Sequence, residues 1–276
     1  MRIYPKLDSE LAGYEKIKPY IKDMMEIQLL DYADEDILSV LTFYTQENPE
    51  LKEVTLHTSA KTWQLDHYLY SKDRLSEIIN FITRIGEYKK VLNIKINILW
   101  HLAQSYKDIQ AQGGIENLNI IYRYLEKYDI LMLLENVIDM NGALDDSEHV
   151  SNFVYEYNRP LVRMCFDICH LHCYLNKLKL PLSAYVNYVS REVLSHVVYQ
   201  VHFSATWNND GFRDLKGTHS KYHNQESLKE DILILQDLGI SNTNIIVEVI
   251  EDDYNERECE LKEFEVLTEG NYYVDR

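Results

Sequence analysis

Glycine, proline and cysteine are scarce in this chain of 276 residues, which has 9 glycines, 5 prolines and 4 cysteines. So few glycines and prolines argue against long flexible linkers between separate domains. No apolar run approaches the ~18 residues that a membrane-spanning helix needs, and the opening residues lack the apolar segment of a signal peptide. We therefore expect reduced cysteines, no membrane partner and a cytoplasmic location.

Basic residues are also under-represented, since 28 Lys and Arg stand against 45 Asp and Glu and leave a formal net charge of −17. Such a field repels phosphate polymers unless bound cations reverse its sign locally. The composition therefore disfavours DNA as a partner, although metal ions at a local site could offset the repulsion.

Short apolar runs recur along the chain, and a longer segment of helical periodicity follows most of them. Most runs lack alternation between polar and apolar residues, which is typical of strands buried on both faces of a parallel sheet. The predicted strands are Ile3–Leu7, Met25–Leu30, Val54–His57, Ile94–His101, Ile130–Asn136, Val162–Ile168, Val197–Phe203 and Ile245–Ile250.

The intervening segments place their apolar residues on one stripe, as amphipathic helices do. The clearest are Asp73–Tyr88, Glu116–Tyr128, Leu182–Leu194 and Glu226–Leu238. The eight strand–helix units share no repeated residue pattern, so a closed barrel explains them better than a solenoid of repeats does. We therefore predict that residues 1–276 form a single-domain α/β protein, a (β/α)₈ barrel with irregular loops at Thr58–Ser71 and Ala205–His223.

Imidazole and carboxylate groups lie at or near the ends of six predicted strands, where barrel enzymes place their reacting groups. Burying such groups inside apolar strands is costly unless they are paired or bind a metal. Two further histidines lie nearby, His170 after strand six and His219 in the loop after strand seven. The predicted metal ligands are therefore His57, His101, Glu135, Asp167, His170, His202, His219 and Glu248.

This mixture of nitrogen and oxygen ligands suits Zn²⁺, Mn²⁺ or Fe²⁺. The number of ligands exceeds the four that saturate one tetrahedral zinc, so we expect two or three ions, zinc first, with Mn²⁺ or another divalent metal as the alternative. Taken singly, His57 or His101 could be a hydrogen-bonded core histidine, and Glu135 or Glu248 could form a salt bridge. The remaining histidines, expected at the surface or supporting the ligands, are His67, His149, His172, His196 and His223.

Two motifs carry a resemblance to a known family. The segment Cys165-Phe-Asp-Ile-Cys-His170 is similar to the D-x-C-H motif of endonuclease IV, and Glu135-Asn136 resembles that enzyme's strand-five pair. The chain thus resembles the endonuclease IV / xylose isomerase-like barrel superfamily over nearly its whole length. The spacing of Cys165, Cys169 and Cys173 does not itself resemble a zinc-ligand motif.

The resemblance to endonuclease IV implies a trinuclear zinc centre that hydrolyses DNA at abasic sites. His57, His101 and Glu135 would hold one ion. Glu135 would bridge to a second ion, held also by the strand-six to strand-eight ligands, and His170 and His219 would bind a third. The family's Asp two residues before the last His is replaced by Gly217, so Asp214 or Asp210 would have to substitute. The DNA-penetrating residues after strand three are also missing, and an acidic segment, residues 31–36, replaces a basic loop.

The sugar isomerases and epimerases of the superfamily imply a different use of the same residues. They hold one metal with residues that correspond to Glu135, Asp167, His202 and Glu248. The two glutamates move protons, and the residue at His170 contacts substrate.

The predicted catalytic residues are therefore Glu135, Glu248 and His170. Because His57 and His101 exceed the needs of one metal, we expect a metal-dependent phosphoesterase. The alternatives are a sugar isomerase or epimerase, and a barrel that serves only for binding.

Overall fold

The computed structural model describes residues 2–30, 35–58, 65–102, 104, 106–137, 147–179, 190–205, 219, 222, 225–250 and 253–269. Eight strands form a closed barrel in sequence order, and every neighbouring pair is parallel. The predicted (β/α)₈ barrel is confirmed. That residues 1–276 form one domain stays a prediction.

The strands β1 to β8 span Arg2–Asp8, Met24–Gln28, Glu53–His57, Lys95–His101, Leu131–Glu135, Val162–Asp167, Val198–Phe203 and Asn244–Val247. The described helices, α1 to α10, span Tyr14–Ile17, Glu35–Glu47, Lys72–Leu92, Tyr106–Ala111, Gly114–Tyr128, Ser147–Tyr157, Ile168–Leu178, Arg191–Val197, Gln225–Asp237 and Glu258–Glu269. Short 3₁₀ turns occur at Lys18–Tyr20 and Leu65–Tyr68. None of the described helices is long and apolar enough to cross a membrane.

Each predicted strand overlaps an observed one, but the prediction for strand eight was wrong at its end. β8 stops at Val247 rather than Ile250. Beyond it, the backbone N–H of Ile250 donates to the carbonyl of His219 at 2.7 Å, so the chain pairs with the loop after β7 instead of continuing the ladder. Glu248 therefore follows the strand and does not lie on it.

The helix predicted over Leu182–Leu194 is confirmed at its described end, where residues 191–194 belong to α8. Residues 180–189 lie outside the described chain, and α8 begins after Ser190, whose hydroxyl accepts a hydrogen bond from the Val193 N–H. Capping by this serine fixes the helix start. The predicted end of α9 is confirmed, because Gly239 has φ +75° after the helix, a conformation that costs glycine little.

The barrel interior holds both apolar and polar side chains, and Thr55, Asn97 and Gln200 are completely buried there. Tyr4, Met24 and Ile246 pack together, and Leu99, Leu131, Leu133 and Cys165 form a second small cluster. The larger apolar core lies between the strands and the surrounding helices. Polar side chains fill the interior near the carboxyl ends of the strands, and this is where the candidate site lies.

Candidate metal centre

The predicted ligands converge at the mouth formed by the carboxyl ends of the strands. The last residues of β3, β4, β5 and β6 are His57, His101, Glu135 and Asp167. His202 is the penultimate residue of β7, and Glu248 follows β8 directly. The strand register pairs His101 with Glu135 and Asp167 with His202. Parallel strands in this register place the side chains at one level of the barrel.

Glu135, Asp167, His202 and Glu248 form what we call the four-residue group, in which one ligand atom from each lies within 4.8 Å of the others. His202 Nδ1 is at its centre, 2.6 Å from Glu248 Oε2, 3.2 Å from Glu135 Oε1 and 3.7 Å from Asp167 Oδ2. One imidazole nitrogen surrounded by three carboxylates is a suitable ligand set for a divalent cation.

His57, His101 and Glu135 form a second cluster, the three-residue group. Glu135 Oε2 lies 3.2 Å from His101 Nε2 and 3.5 Å from His57 Nε2, and the two imidazole nitrogens are 3.3 Å apart. Glu135 thus directs one oxygen to each group. A carboxylate in this position can bridge two cations.

His170 and His219 lie beside Asp167, with their rings 5.1 Å apart. His219 Nδ1 is 3.8 Å from Asp167 Oδ2 and 2.9 Å from Ser204 Oγ. His170 Nδ1 is 2.6 Å from the Asn136 carbonyl, a contact that fixes a proton on Nδ1 and leaves Nε2 for a ligand. The predicted substitutes Asp210 and Asp214, and Gly217, lie outside the described residues.

The sequence analysis missed three residues at this mouth. Lys6 of β1 places Nζ 2.5 Å from Glu248 Oε1 and 3.1 Å from Glu26 Oε1, and Glu26 itself lies on β2. Cys169 joins Asp167 and His219 in a third set of ligand atoms within 4.8 Å. The signal for Lys6 and Glu26 was present, since each is a charged residue within an otherwise apolar strand.

The charges in the cluster shift the pKa values of its members. Burial alone would raise the pKa of Glu135, but the positive charges of His202 and His101 outweigh it and hold the pKa well below its usual range. Burial likewise opposes ionisation of Glu248, while His202 and Lys6 lower its pKa. Both glutamates are therefore ionised and ready to bind a cation.

At this mouth, three buried carboxylate oxygens find no hydrogen-bond donor in suitable geometry among the described residues: Glu135 Oε2, Asp167 Oδ2 and Glu248 Oε2. Buried polar atoms are normally paired, so such a concentration needs an explanation. A divalent cation, with imidazole nitrogens completing its ligands, satisfies these oxygens. The residues present therefore fit a metal centre.

The other histidines do not join this cluster where they are described. His196 is exposed, as predicted. His172 is buried and not at the surface, with Nε2 2.8 Å from Asp231 Oδ1. The side chain of His67 and all of His223 lie outside the described part, and His149 is partly buried in α6. All four cysteines lie in the described part of the chain, and none forms a disulfide.

A cavity of about 380 Å³ opens beside Lys6 and Glu248. Its walls include Gln28, Tyr254 and Arg257. The guanidinium of Arg257 is already paired with Asp8 at 3.3 Å and Glu260 at 2.7 Å, so Lys6 supplies the cation nearest the candidate ligands. Glu248 is the member of the four-residue group that lines this cavity.

Solved structures with this fold cover the chain almost completely. The IOLI protein with a bound zinc atom is 16% identical, with 100% of each chain covered and a TM-score of 0.68. A D-tagatose 3-epimerase-like protein is 17% identical, covers 98% of this chain and 96% of its own, and has a TM-score of 0.62. D-psicose 3-epimerase crystallised in the presence of D-fructose is 13% identical, with 99% of each chain covered and a TM-score of 0.62. At these identities the likeness establishes the fold alone.

No curated protein matches the chain. A family model, described as the xylose isomerase-like TIM barrel, matches residues 10–269. The match covers nearly the whole of the closed barrel and every predicted ligand. The chain therefore belongs to the xylose isomerase-like TIM barrel family.

Proposed function

We propose that this protein is a metal-dependent phosphoesterase with a centre of at least two divalent cations. One observation carries the proposal: the four-residue and three-residue groups share Glu135, whose two oxygens face different partners. A single cation has no need of His57 and His101 as well as a complete four-residue group. Two cations joined by a carboxylate are typical of phosphoester hydrolysis.

Divalent cations in these groups would polarise the phosphoryl group and stabilise the leaving oxygen. The chain's own residues position the substrate. Lys6 presents an ammonium at the edge of the cavity, 2.5 Å from Glu248, where it can attract a phosphoryl oxygen. His170, whose Nδ1 is held by the Asn136 carbonyl, directs Nε2 toward an incoming group.

A small phosphoester suits this site better than duplex DNA. The formal charge of −17 opposes the approach of a polyanion. The acidic segment 31–36 follows β2, and Thr58 follows His57 where a DNA-penetrating pair would be expected from the resemblance. Abasic-site DNA nevertheless belongs among the test substrates, because the ligand set is close to that of endonuclease IV.

A second candidate is a sugar isomerase or epimerase. The four-residue group is complete without His57 and His101, and one cation is enough for that chemistry. Glu135 and Glu248 would then transfer protons, and His170 would contact the substrate. The names of two structural relatives, both epimerases or epimerase-like, support this alternative.

One variant distinguishes the two candidates. His101→Gln removes a member of the three-residue group and leaves the four-residue group intact. Zinc- or manganese-loaded protein should hydrolyse a phosphomonoester, a phosphodiester or an abasic-site duplex, and His101→Gln should lose that activity. If the loaded protein instead interconverts ketoses and His101→Gln retains this activity, the second candidate is correct.

Glu135→Gln is the companion variant, because Glu135 belongs to both groups. We expect it to lose either activity completely. Full activity in Glu135→Gln would contradict both candidate functions.

A further inference from the structure

Glu26 lies behind the candidate centre and touches two of its histidines at once. Its side chain is completely buried on β2. Glu26 Oε1 is 3.1 Å from His57 Nδ1, and Glu26 Oε2 is 2.9 Å from His202 Nε2. One carboxylate therefore serves one histidine from the three-residue group and one from the four-residue group.

The nitrogens that Glu26 contacts are not those that face the candidate cations. His57 presents Nε2 to Glu135 and His101, and His202 presents Nδ1 to Glu135, Asp167 and Glu248. A carboxylate that accepts a hydrogen bond from one imidazole nitrogen holds the proton there and leaves the lone pair of the other nitrogen free to bind metal.

We propose that Glu26 is a shared positioning residue, which selects the metal-binding tautomer of His57 and His202 together. The inference rests on the metal centre of the proposed function but not on the reaction catalysed there. It assigns a role to a β2 residue that is not itself one of the predicted ligands. Because both histidines depend on one carboxylate, the two groups are coupled through it.

The surroundings of Glu26 hold its carboxylate in place. Gln200 Nε2 donates to Glu26 Oε2 at 2.5 Å, and the Gln200 amide is oriented by Thr55, whose hydroxyl donates to Oε1 at 3.1 Å. Lys6 lies 3.1 Å from Glu26 Oε1 and offsets its charge. These contacts come from β1, β3 and β7, so the carboxylate is fixed from three sides.

Lys6 also approaches His57, with Nζ 2.6 Å from Nδ1. An ammonium that donated to Nδ1 would force the imidazole proton onto Nε2 and block metal binding there. Glu26 and Glu248 both offer acceptors to Lys6, so the ammonium can be satisfied without this nitrogen. Gln200 Nε2 lies 3.1 Å from His202 Nε2, but it donates to Glu26 Oε2 at 2.5 Å, and no ammonium among the described residues contacts His202 Nε2.

The test compares Glu26→Gln with Glu53→Gln. In Glu26→Gln, the new amide side chain would keep one acceptor oxygen but place an N–H donor against one of the two histidines. Glu53, at the start of β3, accepts from Lys95 and Asn97 and touches neither ligand histidine, so its variant controls for loss of a carboxylate in the barrel. The probe is Co²⁺ or Zn²⁺ alone, with affinity measured by competition against a chelator.

We expect Glu26→Gln to bind metal about 10- to 100-fold more weakly and to show an altered cobalt d–d spectrum, while Glu53→Gln matches the wild type. Equal affinity and an unchanged spectrum in Glu26→Gln would overturn the positioning role and leave the metal centre intact. A wild type that binds no metal would overturn both proposals.

A measurement on the wild type tests the same inference without requiring that the Glu26→Gln variant folds. Nitrogen-15 NMR of the zinc-loaded protein assigns the imidazole tautomers. We expect the proton on Nδ1 of His57 and on Nε2 of His202. The opposite tautomer at His202 would overturn the inference.

Discussion

At the residue scale, the site is organised around His202. Burial lowers the pKa of this imidazole, but the carboxylates of Glu248, Glu26 and Glu135 outweigh burial and raise the pKa well above its ordinary value. Without a cation, the surrounding carboxylates therefore favour the charged imidazolium form of His202. A metal that binds to Nδ1 must displace the proton there.

This shift predicts a pH dependence of metal binding. Because the pKa of His202 is raised, its proton competes with metal at a higher pH than the proton of an ordinary imidazole does. We expect affinity to rise as pH increases through and above neutrality. Calorimetry in buffers of different ionisation enthalpy should detect about one proton released at this histidine when the four-residue group binds its cation. Affinity that is constant across this range would contradict the assignment.

A single rule predicted most of the site from the sequence. A polar residue at the end of an apolar strand identified His57, His101 and Glu135, and the structure brings them together. The same rule applied within strands one and two would have found Lys6 and Glu26. Cys169 is different: it lies in the first turn of α7, where its thiol contacts the Ala205 carbonyl beside Asp167.

At the element scale, two helices approach each other closely because one of them carries a glycine. Gly86 is buried in α3, and a Cβ added there would lie 2.2 Å from the ring of Tyr128 at the end of α5. The absent side chain lets the tyrosine ring lie directly against the helix backbone. α3 packs against β4, the strand that ends in His101.

Gly86→Ala is expected to destabilise the protein. Alanine gains up to about 1 kcal/mol in helix propensity over glycine, but overpacking at a rigid ring costs about 1–3 kcal/mol. We therefore expect a net loss of about 1–2 kcal/mol in the free energy of unfolding, measured by denaturant titration. Restored stability on combining Gly86→Ala with Tyr128→Ala would support the clash. A more stable Gly86→Ala would show that the helices separate at no cost.

Helix and strand bounds were predictable where periodicity was strong. α3 and α5 extend over nearly the ranges expected, because their apolar stripes are long and regular. The end of β8 was not predictable, because Val249 and Ile250 are apolar residues that continue the pattern while the backbone turns to meet His219. Such a departure depends on a loop contact that local sequence does not encode.

At the scale of the whole molecule, closure of the barrel creates the site. Residues from β2 to β8 that are far apart in sequence meet only because β1 pairs with β8 as well as β2. The chain's net charge of −17 makes that mouth a natural site for cations. Cations bound there would also stabilise the folded barrel relative to the unfolded chain, which lacks the assembled groups.

The most direct test is to locate and count the cations. Crystals of zinc-loaded protein, measured on both sides of the zinc absorption edge, should show at least two anomalous peaks. Glu135 should lie between them. One should lie in the four-residue group and another against His57 and His101. A single peak confined to the four-residue group would contradict a polynuclear phosphoesterase. No peak at all, with these side chains paired only to one another and to Lys6, would contradict the metal centre.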